Sequence, residues 1–216
     1  MLSRSFYLQP NVVSLARELL GKRLCTRIGG IKTAGIITET EAYAGITDKA
    51  SHAYEGRRTG RTEIMYAKGG TAYVYLCYGM HSLFNVVTNQ EGIPHAVLIR
   101  AIEPCEGIET MMFRRKKGTT GKEFLNGPGK VSEALGIHYS LSGLDLTTIS
   151  SQPDDPAIWI EETGEDLPPD PIQTTTRIGV DYAGEDAKLP YRFVLKNAGV
   201  IHELPLHPAK NSKSLT

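Results

Sequence analysis

Two glutamates one residue apart, Glu39 and Glu41 in the run GIITETEAYAG, are the first residues here suited to chemistry. In a strand, Ile37, Glu39, Glu41 and Tyr43 share one face, because side chains alternate with period two. Neighbouring carboxylates repel, so one of them is expected to keep its proton above the ordinary range and to suit general-base work. A solvated strand face uses the same residue types, and Glu-x-Glu alone does not choose between them. Tyrosine is the second anomaly: ten Tyr stand against five Phe and one Trp. Tyr73 and Tyr75 share a strand face and can stack on a flat ring, while Tyr78 falls beside Gly79, where an exposed ring can act as a wedge. A core whose phenols each find a partner is the other use of such rings.

His52 lies eleven residues beyond Glu41 across a polar loop, where a surface role is as open as a catalytic one. Arg100 ends the apolar run HAVLIR, and a guanidinium there needs a carboxylate or a ligand. Asn85 sits inside the apolar FNVV and needs hydrogen bonds if buried. Both can be structural. Arg57, Thr59 and Arg61 fall in the loop EGRRTGRTE, whose forks and hydroxyls suit phosphates or plain solvent. GPGK at 127–130 opens an expected helix, where amides can hold an anion, but it is not a Walker sequence. Cys25, Cys77 and Cys105 have neither a zinc spacing nor an even count, so no metal and no disulfide framework is expected.

The charge is balanced, with 24 Lys+Arg against 24 Asp+Glu, which argues against a histone-like coat or a basic membrane helix. The balance hides a split. Residues 1–130 carry 18 basic and 11 acidic residues, and residues 131–216 carry 6 and 13. Either one face meets a polyanion and an acidic one backs it, or the imbalance is chance.

These residues need elements to hold them. Residues 11–20 have a helical period, with Asn11 as cap and Gly21 as stop. Strand-like runs follow at 21–28, 34–44, 71–78, 83–88 and 95–102, with Gly-rich breaks that favour antiparallel pairing. The fourth and third of these form a hairpin tipped by YGMHS. A helix is expected from after Pro104 to Gly118, with RRKK in its last turn, and another over 128–135. Residues 150–172 read as a surface excursion around a short AIWIEE strand, and 191–195 as a last strand. The fold class is α+β, as one domain.

In order along the chain, ETEAY, His52, RRTGR, YVYLCYGM, FNVV, VLIRAIEP, NGPGK, ALGI, RIGV and YRF resemble the alkyladenine (3-methyladenine) DNA glycosylase family. The match runs from about residue 11 to 196. The resemblance implies a curved, mostly antiparallel sheet flanked by helices, with a hairpin projecting from the DNA-facing side. Glu41 would be the base that activates a water toward C1′ of a flipped nucleotide. Arg100 and the main-chain carbonyl of Ile178 would help to place that water. Tyr43, His52 and Tyr75 would sandwich the base, and Asn85 would crowd the 2-amino group of guanine. Tyr78, with Met80 beside it, would fill the gap in the duplex. Arg57, Thr59, Arg61 and Lys130 match phosphate-contacting positions. The chain departs from the family at Gly69-Gly70, where Pro-Gly is usual, and in the variable stretch His81-Ser82-Leu83.

The implied activity is excision of alkylated or deaminated purines, of the 3-methyladenine, hypoxanthine and ethenoadenine class, leaving an abasic site. The expected partner is double-stranded DNA containing a damaged purine, met by a monomer, with no cofactor, no metal and no membrane. Residues 1–205 would form the glycosylase domain and 206–216 a polar tail. The N-terminus MLSRSFYLQP lacks a signal-peptide core, so an intracellular place is expected, cytoplasm or nucleoid in a bacterium and nucleus in a eukaryote. A non-catalytic nucleic-acid-binding module and a nucleoside hydrolase are the alternatives, and a salt-dependent excision from DNA separates all three.

Overall fold

The structure, a computed structural model, describes residues 1–118, 120–121, 123–164 and 171–196. A single-turn helix α1 (Arg4–Tyr7) precedes α2 (Val12–Glu18). Asn11 caps α2 as its position predicts, accepting from the amides of Val13 and Ser14, donors that a helix start leaves unpaired. β1 (Arg23–Ile28) and the long β2 (Ile31–Tyr43) form a hairpin. β3 (Ala72–Cys77), β4 (His81–Thr88) and β5 (His95–Glu106) follow. Then come α3 (Ile108–Arg115), α4 (Pro128–Leu135), β6 (Ala157–Glu161), β7 (Ile172–Thr175) and β8 (Arg192–Leu195).

The strands make one eight-stranded open sheet in the order β3-β4-β5-β2-β1-β6, with β8 against β2 and β7 against β8. Each described pairing is antiparallel, so the molecule is an α+β domain of the expected kind. Its main core brings Leu15 and Leu19 together with Ile37, Phe84 and Ile99 of the sheet, Leu135 of α4 and Phe193 of β8. Burying each such side chain contributes ~1.5–3 kcal/mol. No described helix is long and apolar enough to cross a membrane.

Three differences from the expected elements have physical causes. β5 does not stop near Ile102; it continues through Pro104 to Glu106, and α3 begins only at Ile108, after Gly107 with φ 70°. Pro104 is tolerated because it sits opposite Gly35 at a register shift, where no regular ladder hydrogen bond is lost. Gly35 is required there, since a Cβ would lie 2.8 Å from the Glu103 carbonyl oxygen. β7 begins at the last residue of the expected excursion and was not expected; its residues IQTT have no apolar alternation to announce them. At the Gly69-Gly70 pair the chain passes close to α1, and a Cβ on Gly69 would lie 2.5 Å from the Tyr7 carbonyl oxygen.

The irregularity that matters most lies between β2 and β5. Ile37 pairs with Ile102, Glu39 with Ala101, and Thr40 with Ile99, so Thr38 and Arg100 stand outside the pairing. Such a bulge resets the alternation of side chains. Ile37 joins the main core with Ala42, while Glu39 and Glu41 turn to the other side, toward Arg100. The expectation that Ile37 shares a face with Glu41 therefore fails, for the extra residue.

Candidate active site

One row across five strands, Tyr73, Asn85, Leu98, Glu41 and Arg192, places the central residues. Above it lies a cavity of about 400 Å³. Tyr43, His52, Arg61, Tyr75, Tyr78, Asn85, Arg100 and Ile178 all line it, residues drawn from 135 positions of sequence. Glu41 itself has no exposed surface and sits just behind this wall. Met80, Arg57, Thr59 and Lys130 are not among the lining residues.

Three groups that line the cavity hold the Glu41 carboxylate. The Tyr43 hydroxyl donates to Oε2 at 2.8 Å, and the Ile178 amide donates to Oε1 at 2.8 Å. Arg100 brings Nη1 to 3.4 Å from Oε1. Burial raises the Glu41 pKa, while Arg100, the Ile178 amide and Tyr43 each work to lower it. The repulsion from Glu39 that the sequence suggested acts in the same direction as burial but is the smallest of these causes. Ile178 reaches the site through its backbone, and its N–H is the group seen engaged. The resulting carboxylate is desolvated, oriented and paired with fixed donors, the condition in which a base works.

The aromatic wall is built from β3 and the loop after β2. His52 and Tyr75 meet edge to face at 4.7 Å and 79°, so these two rings stand nearly perpendicular and make an aromatic corner of the cavity. His52 Nδ1 shares a hydrogen bond of 2.9 Å with the buried Tyr73 hydroxyl. Burial first, and then the positive charges of Arg61 and Arg57, push the His52 pKa down to about 4. A neutral imidazole beside phenol rings accepts a cationic flat ring without repulsion. Asn85 is buried and spends its amide hydrogens on the Tyr73 and Leu83 carbonyls, each at 3.2 Å.

At the rim, Cys77–Met80 is a tight turn whose two central residues, Tyr78 at φ 50° and Gly79 at φ 70°, are both left-handed. Cys77 pairs with His81, so the connection is three residues long, and it leaves Tyr78 90% and Met80 72% exposed. Arg57 and Thr59 are exposed in the loop before β3. The Lys130 ammonium donates to the Glu123 carbonyl at 3.0 Å. The loop before α4 anchors on the site itself, because the Gly127 amide donates to the Arg100 carbonyl at 3.0 Å.

Sequence reasoning missed a buried pair. Arg177 Nη2 donates to Asp48 Oδ1 at 2.9 Å, and Nη1 donates to the Ala42 carbonyl at 3.0 Å. Its guanidinium lies 4.9 Å from the Tyr43 ring centre and 5.3 Å from that of Tyr191. Arg177 thus ties the segment carrying Ile178 to the loop carrying His52. Its only sequence signal was its place in RIGV; the partner stands 129 positions away. Tyr182, also missed, lines the cavity and donates its hydroxyl to the Ala50 carbonyl at 3.1 Å. Among the described residues no group of three or more His, Cys, Asp or Glu is placed to hold a metal ion.

Comparison with known proteins adds an independent finding. The family model described as methylpurine-DNA glycosylase (MPG) matches residues 5–199. A protein of Chlamydia felis is 49% identical over 199 residues, covering 90% of this chain and 96% of its own. One from Desulfitobacterium hafniense is 46% identical over 205 residues, covering 91% and 96%. One from Clostridium perfringens is 43% identical over 203 residues, again covering 91% and 96%. All three carry the inferred name 3-methyladenine DNA glycosylase.

Proposed function

The chain belongs to the methylpurine-DNA glycosylase family, hydrolases of N-glycosyl bonds in DNA, and on that premise we propose that Glu41 activates the water that releases a damaged purine. The observation that carries this reading is the buried Glu41 carboxylate, held by Tyr43, Ile178 and Arg100 immediately behind an aromatic cavity. A damaged nucleotide flipped from the duplex enters the cavity and packs its ring into the corner made by His52 and Tyr75, with Tyr43 against it. The water gives a proton to Glu41 and its oxygen bonds to C1′. The C1′–N9 bond breaks, and its electron pair leaves with the purine. The transition state resembles an oxocarbenium ion, which the carboxylate also stabilises by charge. Arg100 helps to place the water.

Purines alkylated on a ring nitrogen carry positive charge, and the departing pair neutralises them, so 3-methyladenine needs no proton donor. Hypoxanthine and ethenoadenine are neutral and need a proton or tight binding in addition. Asn85, fixed by two carbonyls, crowds a 2-amino group and disfavours guanine. Tyr78 and Met80 fill the gap in the duplex, while Arg57, Thr59, Arg61 and Lys130 meet phosphates. Among the described residues no lysine lines the cavity, which supports hydrolysis to an abasic site rather than Schiff-base strand cleavage. The step balances with water alone, so a chelator is expected to leave it unchanged. The relatives are bacterial, which supports action on DNA in the cytoplasm.

Glu41→Gln tests the reading. Release from a 3-methyladenine duplex is expected to fall by about 10²–10⁴-fold while binding to the damaged duplex is kept. Near-normal release by this variant would remove Glu41 from its role.

A further inference from the structure

Arg100 does not give its best hydrogen bond to Glu41. Its Nε donates to Glu39 Oε1 at 2.7 Å, while Nη1 stops 3.4 Å from Glu41 Oε1, beyond a charge-assisted hydrogen bond. Glu39 is itself fixed. Arg192 Nε of β8 donates to the same Oε1 at 2.6 Å, and both glutamates are almost wholly buried. Two carboxylates and two guanidiniums therefore form a chain, Arg192–Glu39–Arg100–Glu41, with no net charge. The bulge is what lets Arg100 leave the regular pairing to join it.

We infer that Glu39 and Arg192 are positioning residues that hold Arg100 back from Glu41, so that the base keeps a lone pair for water. This rests on the reading of Glu41 given above. A guanidinium is a planar fork that closes on a carboxylate through two bonds when nothing competes. Full closure on Glu41 would occupy the remaining lone pairs of a carboxylate that already accepts from Ile178 and Tyr43, and would weaken it as a base. Glu39 supplies the competition, anchored by Arg192 so that it cannot follow Arg100 inward.

The pH dependence of excision reads this arrangement directly. The groups facing Glu41 are Glu39 and Tyr43 on β2, Arg100 on β5, Tyr75 on β3, and Arg177, Tyr182 and the Ile178 amide from beyond β7. Arg192 acts through Glu39. The arginines stay charged, and burial pushes Tyr43, Tyr75 and Tyr182 up. His52 in the same cavity, its pKa pushed down to about 4 by burial, also gains charge on the acid limb and does so alike in the parent and both variants.

Glu39→Gln removes a negative neighbour and frees Arg100 to approach, and both effects favour the ionised form of Glu41. Its acid limb is expected to move down by about one pH unit, with the plateau rate about tenfold lower. Arg192→Gln does the reverse: Glu39, left with one cation, draws Arg100 away, and the limb is expected to move up. The probe is single-turnover release from a 3-methyladenine duplex, whose fixed charge needs no leaving-group proton. A residue that only supports the fold would lower stability and shift neither limb. Opposite shifts in the two variants support the inference; unshifted limbs in variants that melt as cooperatively as the parent overturn it. If Glu39→Gln does not fold, Arg192→Gln decides alone, an upward limb supporting and an unmoved or lowered limb overturning. Glu41→Gln separates the two levels. Retained excision there would remove the reading of Glu41, whereas lost excision with unshifted limbs elsewhere would remove only the positioning role.

Discussion

At the scale of single residues, Glu41 and His52 are paired opposites. Burial raises the carboxyl and lowers the imidazole, because it disfavours the charged form of each. His52 has a consequence for stability that can be signed. Its folded pKa of about 4 lies below the ordinary 6.5, so the unfolded chain takes up the proton first as pH falls. Its contribution is therefore fully present above pH 6.5 and is lost as pH falls from there toward 4. His52→Gln is expected to flatten denaturation midpoints over that window, while the parent weakens steadily. DNA adds a second effect, since Arg61 and Arg57 are among the causes that lower His52. Phosphates at those arginines are expected to raise the His52 pKa, which imidazole proton resonances followed with undamaged duplex would report. Glu41, Tyr43 and His52 stand out in the sequence because their types and order are unusual. The cause of the raised carboxyl was not legible there, since burial depends on what packs over a residue and not on what adjoins it.

Among the elements, hairpin and clamp both couple stability to function. Tyr78 holds a left-handed φ of 50°, which a residue with a Cβ adopts only at a cost. Tyr78→Gly is expected to stabilise the free protein by up to about 1 kcal/mol in denaturant titrations. The same variant is expected to weaken flipping, read by a fluorescent base analogue opposite a normal partner. A parallel loss of stability and flipping would remove the wedge role. The clamp between Arg177 and Asp48 is fully inside the protein. Arg177→Leu leaves the Asp48 carboxylate buried without its cation and is expected to cost about 3–5 kcal/mol. Adding Asp48→Asn should recover part of that loss of stability, yet leave excision low, because Ile178 has lost its tie to the His52 loop. The hairpin was readable from Gly79 between two alternating runs. The bulge at Thr38 and Arg100 was not, because a register shift is a property of two strands together.

For the molecule as a whole, the zero net charge says little and its distribution says more. The basic portion carries Glu41, the aromatic wall and the proposed phosphate contacts. The acidic portion is not simply turned away from them: Ile178, Gly179, Val180 and Tyr182 line the cavity, and Arg192 completes the chain of charges. Binding to duplex DNA is still expected to weaken with salt. Arg57→Ala should reduce the slope of log affinity against log salt by about 0.9, with the same effect on damaged and undamaged sequences. A change confined to damaged duplex would assign Arg57 to the base and not to the backbone. The tail expected at 206–216 lies outside the described residues.

The order of local motifs determined the family, the α+β class, the capped helix at Asn11 and the hairpin tip. Each of these depends on neighbours within a few residues, or on residue types that few other roles require. Tertiary structure alone decided that Arg100 bonds to Glu39 before Glu41, that Arg177 joins two loops, and that burial rather than repulsion sets the carboxyl. Those properties arise where β2, β5, β8 and the segment after β7 meet. Their physical content is a distance between residues far apart in the chain, and no local pattern encodes it.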